Sequence, residues 1–152
     1  MNLGKVFCTI ALPGMVLAAQ GPTKAQAEAL VKQAVAFGKQ NGIDKLIQET
    51  NQATGKFHVA SGGELYIMIY DQTGVCKAIG YNTGMFVGKN RAELKDPDGK
   101  YPFRELIKIA KTTGKGWVDY KYPNPVNGKI EAKTTYLEMY GDLIVGAGVY
   151  KD

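Results

Sequence analysis

A chain of 152 residues that is 45% hydrophobic and 22% charged has the length of one domain and a globular composition, which excludes disordered, collagen-like and coiled-coil architectures. Its 19 basic and 14 acidic residues leave a formal charge of +5, but the lysines are scattered, which argues against nucleic acid or an anionic membrane as a partner. Two cysteines and one histidine are too few for a Cys/His metal site, and no Cys-x-x-Cys-His is present for covalent haem.

The chain opens with Met1-Asn2-Leu3-Gly4-Lys5, an apolar run from Val6 to Leu17, and small residues at Ala18-Ala19. One positive charge, an apolar core and a small-residue cut predict a secretory signal peptide over 1–19, and hence a periplasmic or secreted protein. Pro13-Gly14 interrupts the run, which is shorter than the roughly 20 residues of a spanning helix. Cys8 would leave with the signal, so the mature domain over 20–152 would hold only Cys76 and no intramolecular disulfide. Lys5 stands close before Cys8, and the apolar stretch follows it, which argues against a lipid anchor.

Thr23-Lys24-Ala25-Gln26 fits a capping box and predicts a helix start. Ala27, Leu30, Val31, Ala34 and Phe37/Gly38 recur at helical steps, Asn41-Gly42 breaks or kinks the helix, and Ile43, Leu46 and Ile47 resume the period. After Ser61-Gly62-Gly63, strand-like runs from Leu65 to Tyr70 and from Val75 to Tyr81 flank Asp71-Gln72-Thr73-Gly74, which predicts a hairpin. Gly84 to Phe103 has little periodicity, and Phe103, Leu106, Ile107 and Ala110 mark a short amphipathic helix. Runs over Gly116–Tyr122, Ile130–Tyr140 and Leu143–Tyr150 complete an antiparallel meander. A long helix, two strands, a crossover and three strands describe an α+β domain.

Catalysis finds no support in the residue types. A Ser-His-Asp or Cys-His site needs a base beside its nucleophile, and the one histidine, His58, lies in a turn region far in sequence from Cys76. Asp96-Pro97-Asp98-Gly99 has the first spacing of a calcium loop but lacks its third acidic position and distal Glu, so it reads as a turn. No phosphate-cradling glycine loop is present. No catalytic residue, metal or cofactor is therefore expected.

Aromatic density on the strands stands out instead: Tyr66, Tyr70, Tyr81, Trp117, Tyr120, Tyr122, Tyr136, Tyr140 and Tyr150. Alternation sets Leu65, Ile67 and Ile69 on one face, suited to the helix, and Tyr66, Met68 and Tyr70 on the other, suited to a pocket.

Several motifs follow one another from Phe57 to Tyr150. They are Leu65 to Asp71 with Gly74, Val87-Gly88-Lys89-Asn90, Asp96 to Lys100, Gly116 to Tyr120, Pro123-Asn124-Pro125, Lys133-Thr134-Thr135-Tyr136 and Gly146 to Tyr150. In this order the chain resembles single Cache domains, the PAS-like extracellular sensor modules, in their stand-alone secreted form. The resemblance implies a long N-terminal helix packed on a five-stranded antiparallel sheet with a short crossover helix. It also implies a ligand pocket on the other face, covered by the segment between the second and third strands. A polar residue is expected around Ala78-Ile79-Gly80, and Ile79 departs from that.

Family members commonly bind small organic acids or other metabolites and pass the occupancy to an output module. This chain is accordingly expected to bind such a small-molecule ligand and to signal through a separate partner, a membrane receptor or another envelope protein. The long helix offers a surface for a homodimer. Within the implied pocket, Lys133 would supply positive charge, Tyr66, Tyr120 and Tyr136 hydroxyl donors, and Trp117 and Met68 apolar walls around a carboxylate. Lys133 and Tyr136 face opposite sides of an unbroken strand, so both reach one pocket only through a bulge or a strand end, and Lys133 takes precedence. The alternative is a structural or accessory envelope protein with a filled, ligandless core. A small isomerase comes third and would need a carboxylate inside the pocket.

Overall fold

The computed structural model describes residues 20–151, so the signal peptide expected over 1–19 lies outside the described residues. Thr23 opens the first helix as a capping box. Its hydroxyl accepts from the Gln26 amide at 3.2 Å, and Gln26 Oε1 accepts from the Thr23 amide at 2.8 Å. Helix α1 (Lys24–Asn41) buries Ala27, Val31, Ala34, Val35 and Gly38. It stops at Gly42, whose φ of +91° takes the chain out of the helix and into α2 (Ile43–Asn51). Removing the cap by Thr23→Ala is expected to cost about 1 kcal/mol, read as a lower urea midpoint with an unchanged slope.

Strands β1 (Met68–Asp71) and β2 (Cys76–Ile79) form the predicted hairpin, with a bulge between Ile69 and Tyr70. They are shorter than predicted because the flanking residues leave the regular ladder. The Ile67 amide donates to the Phe57 carbonyl at 3.0 Å, and the Val59 amide to Gly80 at 2.7 Å. Asp71 closes the turn, its Oδ1 accepting from the Thr73 amide and hydroxyl and from the Val75 amide. A four-residue helix, α3 (Thr83–Phe86), follows with no periodicity to announce it.

The amphipathic helix α4 (Pro102–Thr112) turns Phe103, Leu106 and Ala110 inward. Strands β3 (Lys115–Pro123), β4 (Ile130–Tyr140) and β5 (Leu143–Tyr150) then make the meander. The five antiparallel strands are ordered β2-β1-β5-β4-β3, so the C-terminal strand is central. The chain leaving β2 must therefore travel from one sheet edge to the other, and residues 80–114 do so across a single face.

Alternation along the strands sorts the core into two layers. Ile67, Ile69, Val145, Ala147 and Val149 meet Ala27, Val31 and Ala34 of α1, which lies over β4 and β5. Met68, Tyr70, Val118, Tyr120, Leu137 and Tyr150 face the crossover and α4. Side chains such as Leu46, Ile67 and Leu137 are fully buried, each worth about 1.5–3 kcal/mol of transfer energy.

Candidate ligand-binding site

The face turned away from α1 holds a buried ammonium. Register pairs Lys133 of β4 with Tyr120 of β3 on one side and Tyr150 of β5 on the other. Lys133 Nζ donates to Tyr66 Oη at 3.0 Å. It lies 4.7, 4.8 and 5.3 Å from the ring centroids of Tyr66, Tyr150 and Tyr122. Lys133 is 2% exposed, and among the described residues no carboxylate comes within ion-pairing distance of it. Burial pulls its ammonium below the ordinary 10.5, with Tyr120 and Glu64 opposing. An unpaired buried charge costs several kcal/mol, which the ring quadrupoles offset in part.

The space for this side chain is made by Gly148 on β5, where a Cβ would stand 2.3 Å from Thr135 Oγ1 and 2.6 Å from Lys133 Cε. Tyr120 Oη and Thr135 Oγ1 share a hydrogen bond of 2.9 Å. Burial pushes the Tyr120 and Tyr122 hydroxyls up to about 12, so both stay protonated at neutral pH. Tyr150 Oη donates to the Pro123 carbonyl at 2.6 Å.

One layer outward, the crossover supplies a second cation. Arg91 Nη2 donates to Tyr122 Oη at 3.3 Å, and the guanidinium lies 4.9 Å from the Phe86 ring and 5.9 Å from that of Phe103. Its Nε is buried without a hydrogen-bond partner, as is the hydroxyl of Tyr70, which packs on the same Phe103 ring at 4.9 Å. A cleft of about 360 Å³ opens here between the crossover and the end of β3, bounded among others by Arg91, Tyr122, Phe86, Leu94, Pro102 and Ile130.

Asp96 clasps this segment to the sheet. Its Oδ1 accepts from the Asp98 and Lys100 amides at 2.9 Å each, and its Oδ2 from the Lys121 amide of β3 at 3.1 Å. The carboxylate is thus taken up by a turn. Burial alone would raise the carboxyl, and the three amides outweigh it and hold it below the ordinary 3.8. That stabilisation is present above pH 3.8 and is lost as pH falls through the depressed value. Asp96→Ala is expected to cost about 2–3 kcal/mol, measured by urea denaturation at neutral pH.

Four of the six predicted site residues, Tyr66, Met68, Tyr120 and Lys133, share this face. Trp117 and Tyr136 do not. The β3–β4 register runs unbroken from Lys115 opposite Glu138 to Pro123 opposite Ile130, so no bulge brings them round. They pack on each other at 5.1 Å on the helix side, Lys24 Nζ of α1 lies 4.2 Å from the Trp117 ring, and Tyr136 donates to Glu138 at 2.7 Å. Their pocket roles give way to docking of α1. None of the six lines the open cleft itself. Met68 borders a separate void of about 10 Å³ with Tyr70 and Phe103. Strand parity could have found Tyr122, two residues beyond Tyr120, whereas nothing in its surroundings marks Arg91.

A family model described as Cache domain matches residues 34–152. The chain belongs to the Cache domain family. Among curated proteins this Cache domain is 33% identical over 93 residues to the sensor histidine kinase MctS of Rhizobium johnstonii, a match covering 60% of the chain and 20% of the kinase. The chain spans 11% to 20% of the curated relatives it matches. A methyl-accepting chemotaxis protein from Vibrio parahaemolyticus superposes with a TM-score of 0.69 at 22% identity, covering 85% of this chain and 88% of that one. A Cache chemosensory domain solved for its recognition of carboxylic acids superposes with a TM-score of 0.61 at 22% identity, covering 84% and 88%. Family and fold are those of sensor domains.

Elsewhere in this Cache domain, His58 Nδ1 lies 3.3 Å from the Val59 carbonyl oxygen, and the buried Cys76 thiol is pushed up by its burial to about 11. Among the described residues no group of His, Cys, Asp and Glu side chains could hold a metal ion, and no helix is long and apolar enough to cross a membrane.

Proposed function

We propose that this Cache domain is a periplasmic sensor that binds a small organic carboxylate on the tyrosine face and passes its occupancy to a separate membrane receptor or other envelope partner. One observation carries the reading. Arg91, at the hydroxyl of Tyr122, borders a cleft of about 360 Å³, Lys133 lies buried 5.3 Å from the Tyr122 ring that lines it, and neither cation has a carboxylate partner among the described residues. Unpaired positive charge in a low-dielectric cleft favours an anion over a neutral molecule of the same shape. The fold neighbour solved for carboxylic acid recognition and the kinase and chemotaxis relatives support the same direction.

The test compares carboxylates with their neutral amides in thermal shift and calorimetry. Sodium acetate and propionate are expected to raise the melting temperature saturably, by the equivalent of about 2.7 kcal/mol at a hundred times Kd, while acetamide and propionamide do not. Arg91→Gln is expected to weaken carboxylate binding at least about tenfold. Equal shifts by acids and amides would remove the basis for an anion site.

A ligandless accessory protein is the second reading, favoured by the three rings that enclose Lys133. It predicts that carboxylates of every size leave the melting temperature unchanged.

A further inference from the structure

The cleft is larger, and its mouth more apolar, than an acid of two or three carbons requires. Its volume of about 360 Å³ falls within the roughly 300–1,000 Å³ of pockets that enclose larger organic ligands. Met85 and Ile130, two of the few large hydrophobic residues left open to solvent, are 59% and 56% exposed and both border this cleft. Single exposed apolar side chains are ordinary; two at the mouth of one cleft, backed by Phe86, Leu94 and Pro102, form a surface suited to an apolar group.

The polar groups of the cleft sort in a complementary way. Lys121 is paired with Asp98 at 2.9 Å, Lys95 Nζ stands 5.2 Å from the Tyr101 ring, and the Asp96 carboxylate is engaged by three amides. Arg91 differs from the two lysines in having a buried, unpartnered Nε, with its guanidinium set against the rings of Phe86 and Phe103.

We infer that the ligand is a monocarboxylate carrying a branched or aromatic apolar body, its carboxylate on Arg91 and its body lying along the cleft towards Met85 and Ile130. The inference rests on the carboxylate-sensing reading above and specifies which carboxylates that site selects. The body would cover the two exposed side chains and leave the charged end against the guanidinium.

Isothermal titration of the purified protein at fixed ionic strength with sodium acetate, 4-methylpentanoate and phenylacetate tests it. A fully buried methylene is worth about fourfold in affinity and one in a half-open cleft about twofold. The four additional carbons of 4-methylpentanoate are therefore expected to tighten binding about tenfold over acetate, with phenylacetate at least as tight. Met85→Ser/Ile130→Ser, at exposed positions, is expected to bring the ratio between the two acids within about threefold. Acetate binding with a flat or falling affinity along the series overturns the inference and leaves carboxylate sensing standing. A tenfold gain that survives the double substitution places the apolar body elsewhere and also overturns it. Absence of binding by all three acids overturns the carboxylate reading itself.

Discussion

Lys133→Met is expected to raise the melting temperature of the ligand-free protein while weakening its hold on carboxylates. Methionine is unbranched and similar in length, so it can occupy the space among Tyr66, Tyr122 and Tyr150 without the desolvated ammonium. Removing the charge relieves several kcal/mol of burial cost, against which stand the lost ring–cation attraction and the lost hydrogen bond to Tyr66 Oη. A net gain of about 1 kcal/mol, or a few degrees, is expected. The sign has a pH signature. The folded state holds Lys133 below its ordinary 10.5, so between the two values the unfolded chain binds more protons and the parent's stability rises with pH. The advantage of the methionine variant is therefore largest below the folded-state value of Lys133 and shrinks as pH rises from there towards 10.5. A variant less stable than the parent at neutral pH would mean that the ring cage stabilises the cation by itself. Carboxylate affinity unchanged in calorimetry would remove Lys133 from the site.

Gly148→Ala is the most damaging single methyl group expected on this face. Its Cβ would fall 2.3 Å from Thr135 Oγ1, 2.6 Å from Lys133 Cε and 3.0 Å from the Thr134 carbonyl oxygen. The two side chains can yield, but the carbonyl belongs to the β4–β5 ladder and cannot yield without straining it. Moving Thr135 also breaks its bond to Tyr120. Overpacking and the lost hydrogen bond together are expected to cost about 3 kcal/mol. Because Lys133 supplies one of the clashes, Gly148→Ala in a Lys133→Ala background should cost at least about 1 kcal/mol less, a coupling read from a double-mutant cycle in urea. Additive losses would show that the lysine does not fill the space above Gly148.

Local pattern sufficed for much of this architecture and failed where distant segments meet. The capping box at Thr23, the break at Gly42 and the bounds of β4 and β5 follow from neighbours in sequence, because caps, glycine breaks and turn-bounded runs act over a few residues. The shared face of Tyr66, Met68 and Tyr70 was equally legible from alternation. The placement of β1 beside β5 was not, since it joins Met68 to Gly146 across most of the domain. That pairing is what stretches the crossover over one face and forms the cleft. The side-chain chemistry of Trp117 and Tyr136 suits a pocket wall, but the unbroken β3–β4 register fixes both to the α1 side. Arg91 lies in an aperiodic segment, and only the folded chain sets it against Phe86 and Tyr122.

Strand β4 also acts as a partition one peptide thick. Lys133 and Thr135 stand among the tyrosines, while Tyr136, between them and Leu137 in the chain, packs under α1 with Ala147 and Val149 of the neighbouring strand. A close-packed interior has little slack to absorb displacement. Any sliding of β4 by a fraction of an ångström when charge on one side is neutralised would therefore be delivered to the long helix on the other. The sheet would then serve as a short-throw lever, with the occupant at one end and α1 at the other.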